Sequence, residues 1–214
     1  MLRQTIIRYM ALLGLLACYS PSFALDRNAL LDEANLLLLP RERQLPNIEL
    51  MDEQGQTVTT DSLRGRWHLL FFGFTACPDV CPTTLSDMRR LFGQLQPSVR
   101  EQLQLVLVSA DPARDTPEAL RTYLGYYRAG FKGLTGEMSH LQKLSKALGL
   151  PFVPAVETEG DYSVSHSGNL AIVGPNGSLR GHIRAPLKLD GLQQALPQLI
   201  EAEQLPGEAA SGGR

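Results

Sequence analysis

The chain has 214 residues, 43% of them hydrophobic and 20% charged, which is material for one domain of ordinary size with a soluble surface. A net charge of −2 and a pI near 6.1 exclude the basic footprint of a nucleic-acid-binding protein.

Residues 1–24 read as an export signal. Arg3 and Arg8 form its positive end, Met10 to Ala17 its apolar core, and Ser22-Phe23-Ala24 offers small residues for cleavage before Leu25. The apolar run falls short of the ~20 residues that span a bilayer. Leu15-Leu16-Ala17-Cys18 resembles a lipoprotein box, imperfect at Leu16, and gives a second reading in which Cys18 is lipidated. Either way, Cys77 and Cys81 are the cysteines of the exported part.

Residues 25–45 read as an N-terminal arm. Its leucine patch, Leu36 to Leu39, ends at Pro40 and fits either a short helix or an arm packed on the domain. Pro46 to Leu50 and Asp52 to Val58 pattern as a hairpin turning at Gly55. Trp67 to Phe72 is an almost unbroken apolar run, as expected of a central strand. From Pro82 to Leu95 the apolar residues Leu85, Met88, Leu91, Phe92 and Leu95 recur at helical spacing, and Met88 falls within that core-facing stripe.

Leu103 to Ser109 predicts a second buried strand. Thr116 before Pro117 and Glu118 predicts a helix start, with the helix running to about Arg128. Asp111, after the strand, either caps the loop or faces a site. Phe131 to Gly136 is a loop or short strand, and Glu137 to Leu148 a helix closed by Gly149, with His140 near its start. Tyr162 to Val164 and Asn169 to Val173 are strand-like, separated by Ser165 to Gly168. Gly174 to Gly177 makes a tight turn into a strand from Ser178 to Ile183, and a helix follows from about Leu189 to Glu201. Residues 204–214 read as a disordered tail. This order predicts an α/β thioredoxin-like sandwich over residues 46–203, with an N-terminal β-hairpin and a C-terminal β-hairpin plus helix.

The stretch that carries chemistry is Phe71 to Leu85. A strand breaks at Gly73, and Cys77 and Cys81 follow, one helical turn apart, with Pro82 suited to a first helical turn. Thiols at a helix N-terminus are expected to have lowered pKa values and thiolate character. A disulfide between them would close too short a loop to gain much chain entropy, so a mainly structural staple is the weaker reading. Two thiolates suit a soft ion such as Cu(I), and an imidazole suits Cu(I) and Cu(II). His166 is the candidate third ligand. His68, inside the central strand, and His182, in the last strand, compete poorly but are not excluded by spacing.

The run Gly73 to Pro82, the block Asp111 to Pro117, the block Gly133 to Gly136 and the Tyr162-to-Gly177 segment with His166 together resemble the SCO/SenC family, in order and over roughly Pro46 to Leu199. The resemblance implies a copper protein, periplasmic or attached to the outer face of the inner membrane. It implies a role in assembling the dinuclear copper centre of cytochrome c oxidase subunit II, or of another copper-receiving oxidase subunit, with a copper-donor protein upstream. It carries over Cys77, Cys81 and His166 as copper ligands. Ser165 departs from the acidic residue that family members commonly place before the histidine. A second function class is a thiol–disulfide oxidoreductase reducing the cysteines of the apo-oxidase subunit, with Cys77 attacking and Cys81 resolving; it needs neither metal nor histidine.

Overall fold

The computed structural model describes residues 27–158 and 161–204. The expected signal and Cys18, and nearly all of the expected tail, lie outside the described residues. Eight strands form one sheet in the order β1-β10-β9-β4-β5-β6-β2-β3. Its centre is β4 (Trp67–Gly73), β5 (Leu103–Ser109) and β6 (Lys132–Thr135), which pair in parallel through the crossover helices α2 (Val80–Gln94) and α4 (Pro117–Gly125). Beyond β6 lies the expected hairpin of β2 (Glu49–Asp52) and β3 (Thr57–Thr59). Its turn is held by Asp52 Oδ1, which accepts from the Gln54 and Gln56 amides, and by Gly55 at a φ of 80°.

On the other flank, β9 (Leu170–Val173) runs antiparallel to β4 with Leu70 opposite Ala171, and β10 (Ser178–Ile183) follows antiparallel to β9. The leucine patch, open between helix and arm in the sequence, is β1 (Leu36–Gln44), the edge strand beside β10, preceded by α1 (Arg27–Glu33). Pro40 fits there because the register shifts between Leu38 and Arg43, at an edge where a missing N–H breaks no ladder. Gly181 admits this strand: a Cβ on it would lie 2.2 Å from the Leu37 carbonyl oxygen.

Every residue of β4 is buried, and its side chains alternate between two cores. Leu69 and Phe71 join Leu85, Met88 and Leu91 of α2, Leu120 of α4, and Leu192 and Leu196 of α6 (Leu189–Gln204). Leu70 and Phe72 face the other side, with Leu141, Leu144 and Leu148 of α5 (Met138–Leu148). The molecule is thus a three-layer α/β sandwich, and Met88 is core, as its place in the stripe implied. A four-residue helix, α3 (Pro97–Arg100), links α2 to β5.

Three local features differ from the sequence reading. Helix α4 stops at Gly125, short of Arg128, because Tyr126 and Tyr127 turn out of it and Arg128 takes a left-handed φ of 51°. Helix α2 begins at Val80, so Cys81 is already helical. A second, two-stranded sheet was not anticipated: β7 (Phe152–Thr158) pairs with β8 (Asp161–His166), so His166 ends a strand instead of lying in a loop.

Candidate metal centre

Open α/β sheets collect functional groups outside the carboxyl ends of their parallel strands. Here the loop after β4 carries Cys77, the first turn of α2 carries Cys81, and β8 brings His166 to the same rim. The two Sγ atoms and one nitrogen of His166 all lie within 4.8 Å of one another. His166 Nε2 is 3.8 Å from Cys77 Sγ and 3.5 Å from Cys81 Sγ. Donors bound to one ion at about 2.0–2.3 Å stand roughly 3.5–4 Å apart, so this cluster has the dimensions of a ligand set. Among the described residues it is the one group of three or more Cys, His, Asp or Glu side chains so arranged.

Each donor is held by identifiable contacts. Gly73 is required where it stands, because a Cβ there would lie 2.6 Å from Cys81 Sγ. The Cys77 amide donates to the Phe74 carbonyl at 3.1 Å, closing a turn. Thr75, two residues before Cys77, donates its amide and hydroxyl to Asp115 Oδ1 at 3.1 and 2.6 Å, and Ser109 Oγ donates to Asp115 Oδ2 at 2.7 Å. Burial pushes the Asp115 carboxyl up, against the pull of these hydrogen bonds. His166 Nδ1 is 3.2 Å from the Ser167 carbonyl oxygen, so Nδ1–H donates and Nε2 turns its lone pair to the sulfurs. The Phe74 ring meets the imidazole edge-on at 5.9 Å, and Phe152 of β7 stacks on Phe72 at 5.0 Å, tying the hairpin to the sheet.

Electrostatics correct one expectation. The Cys81 thiol is pushed up, not down, because burial outweighs the backbone hydrogen bond from Phe74, and Cys77 and Asp115 add negative charge nearby. Cys81 has no exposed surface, so the helix N-terminus cannot compensate for lost solvation of a thiolate. Cys77 is half-buried. Burial lowers the His166 pKa, which keeps the ring neutral, the form that ligates metals.

The other sequence candidates stand apart. His68 is buried in β4 and donates Nδ1–H to the Arg66 carbonyl. His182 donates Nε2–H to the Leu148 carbonyl at 2.7 Å, satisfying the end of α5. Asp111 caps its loop: its amide donates to Ser109 Oγ and its carbonyl accepts from Arg114 and Asp115. Ser165 is exposed on the rim of the groove over Cys77, which Asp79, Val80 and Arg114 also line. Sequence reading passed over Asp115 and Thr75 as supports. The signal was present, in a polar threonine directly after a buried strand and an aspartate before a helix cap, but their pairing is long-range.

The SCO1/SenC family model matches residues 40–201. A relative from Stutzerimonas stutzeri, named "Putative copper-binding protein", is 73% identical over 197 residues, covering 92% of this chain and 97% of that protein. Among solved structures, the copper-bound ScoI of Bradyrhizobium japonicum is similar with a TM-score of 0.63 and 27% identity, over 72% of this chain and 98% of that one. The apo Sco1 of Thermus thermophilus is similar with a TM-score of 0.67 and 29% identity, over 77% of this chain and 96% of that one.

Proposed function

Given that this chain belongs to the SCO1/SenC family, we propose that it is a copper metallochaperone that holds its cargo on Cys77, Cys81 and His166. The observation that carries this reading is the convergence of two sulfurs and a lone-pair nitrogen within 4.8 Å at the rim of the sheet. Two thiolates match Cu(I), and the imidazole extends the set to Cu(II). The buried Cys81 thiol must lose its proton when copper arrives, so loading releases protons and weakens as pH falls. Cys77, the more accessible sulfur, is the donor a partner's ligand reaches first, and exchange there passes the ion on.

The receiving partner in this proposal is the copper-binding subunit of an oxidase, cytochrome c oxidase subunit II by the family resemblance, with an upstream copper donor. The site then faces the periplasm, on a domain spanning residues 46–203 that follows an export signal or a lipid anchor at Cys18. No helix among the described residues is long and apolar enough to cross a membrane.

A second reading is favoured by the same pair of sulfurs, free and unequally exposed. Cys77 thiolate attacks a partner disulfide, giving a mixed disulfide and one partner thiolate. Cys81 then attacks the Cys77 sulfur, releasing the second partner thiolate, so two electrons move to the partner and Cys77–Cys81 is oxidised. Copper titration and X-ray absorption of the reduced protein, with and without His166→Ala, separate the two. The chaperone reading expects one copper with two sulfur neighbours and one nitrogen, the nitrogen lost in the variant. Absence of sulfur around bound copper sinks it. Dithiol exchange that is untouched by the variant, with no tight copper binding in either protein, selects the oxidoreductase.

A further inference from the structure

At the opposite end of the sheet from the cysteines, the starts of β4 and β5 border a cleft of about 500 Å³. Seven-residue strands at about 3.3 Å per residue put it roughly 20 Å from the metal centre. Arg66, Arg89, Arg100 and Arg128 line it, against the single carboxylate of Glu101, in a chain whose net charge is −2. Phe92, Leu103 and Ala129 supply an apolar floor.

Hydrogen bonds fix one wall of the cleft, and Arg89, Arg100 and Arg128 are exposed along it. Arg66 donates one Nη to the Glu101 carbonyl and the other to Gln104 Oε1. Gln104 in turn donates Nε2 to the Gly130 carbonyl at 2.8 Å, fixing the loop that presents Arg128. Arg128 holds a left-handed φ of 51°, an uncommon backbone state for a residue other than Gly, Asn or Asp. The side chains of Arg89, Arg100 and Arg128 make no ion pair or hydrogen bond among the described residues. Arg100 lies in the last turn of the four-residue α3 and Arg128 just past the end of α4, whereas Arg89 lies outside the last turn of α2, so helix dipoles do little to offset the clustering of positive charge. The dipoles do not explain why three guanidiniums border one concavity with their donors unused. Planar five-donor guanidiniums are suited to phosphate and carboxylate oxygens.

We propose that this cleft binds a small oligoanion of phosphate or polyphosphate type, independently of the copper site. Its concavity favours a compact ligand over a flat membrane surface. The test is calorimetric titration of the full exported protein at low salt with inorganic pyrophosphate and tripolyphosphate, alongside flotation with vesicles containing phosphatidylglycerol. Saturable binding of one anion per chain is expected, weakened about tenfold by Arg89→Gln and by Arg128→Gln and partly kept in Arg89→Lys, with copper affinity unchanged in all three. Added salt should weaken it further. Absence of saturable binding at millimolar pyrophosphate overturns the proposal, as does binding that ignores these substitutions. Arginine-dependent recruitment to vesicles that pyrophosphate fails to compete also overturns it, reassigning the cleft to a lipid surface.

Discussion

Gly73→Ala tests whether the central strand sets the position of a metal donor. The added Cβ would fall 2.6 Å from Cys81 Sγ, 2.8 Å from Leu107 Cδ1 and 3.3 Å from Phe71 Cε2. Ordinary contacts are about 3.5–4.0 Å, so the sulfur must retreat by about 1 Å. It has nowhere free to go, since Cys81 is wholly buried and lies in the same core as Phe71 and Leu107. Overpacking of this kind costs about 1–3 kcal/mol, read as a lower urea midpoint of the copper-free protein. Metal sites tolerate shifts of about 0.2 Å in ligand distance, so copper affinity should drop at least about tenfold in competition titrations. Gly125→Ala is the control: nothing lies within 4 Å of its Cβ, and in a helix the change should be neutral or stabilising by about 0.4–1 kcal/mol. A folded Gly73→Ala protein with unchanged copper affinity would refute the argument, because it would mean that the seat of Cys81 Sγ against β4 does not govern binding.

Cys77→Ser and Cys81→Ser should each abolish tight copper binding but differ in stability by thermal unfolding. The half-buried Cys77 should cost little, whereas Cys81→Ser buries a hydroxyl and should cost about 1–3 kcal/mol. His166→Ala should weaken Cu(II) more than Cu(I), and Ser165→Asp should strengthen Cu(II) by adding charge beside the imidazole; competition titrations in both oxidation states that show no change would remove His166 from the ligand set. Burial depresses the His68 pKa from 6.5 to about 4, so the folded state binds fewer protons than the unfolded one between those values. Stability should therefore be full above pH 6.5 and fall as pH drops through 4, by about 3 kcal/mol in all. Chemical unfolding of His68→Gln across that range should lose this part of the slope, and an unchanged slope would place the titration elsewhere.

The central strands, the hairpin at Gly55, α2, α5 and the β9–β10 turn were legible because each rests on a local signal: an apolar run, a helical stripe, or a glycine at a turn. Cys77 and Cys81 were legible for the same reason. What was not legible depends on pairing. The leucine patch 36–39 reads as a short helix or an arm until β10 is there to pair with it, and Pro40 argues against a strand unless the edge and its irregular register are known. The strand β7 carries Pro154 within it, which masks its pattern. The pKa of Cys81 went the other way from the helix-terminus argument because burial cannot be read from the cysteine's neighbours in sequence. His166 lies beside both cysteines in space, although its own spacing in the sequence said little.

The three donors are held by unequal amounts of structure, and this orders their roles. The two thiols belong to the body of the protein. Cys81 is pinned between β4 and α2, and the loop of Cys77 is tied through Thr75 to Asp115 and so to the next strand. The imidazole is carried by β8, which among the described strands pairs only with β7. A two-stranded hairpin is marginal by itself, and this one is steadied by Phe152 against Phe72, by the buried Val164 and by Phe74 edge-on to the ring. In the proposed chaperone the sulfur pair is therefore the fixed seat for the soft ion, while the nitrogen depends on a few aromatic contacts for its position. On that reading an ion that relies on the imidazole, as Cu(II) does more than Cu(I), would be held by the weaker support. In the proposed transfer, movement of the hairpin frees the nitrogen, and exchange at the more accessible Cys77 sulfur then passes the ion on.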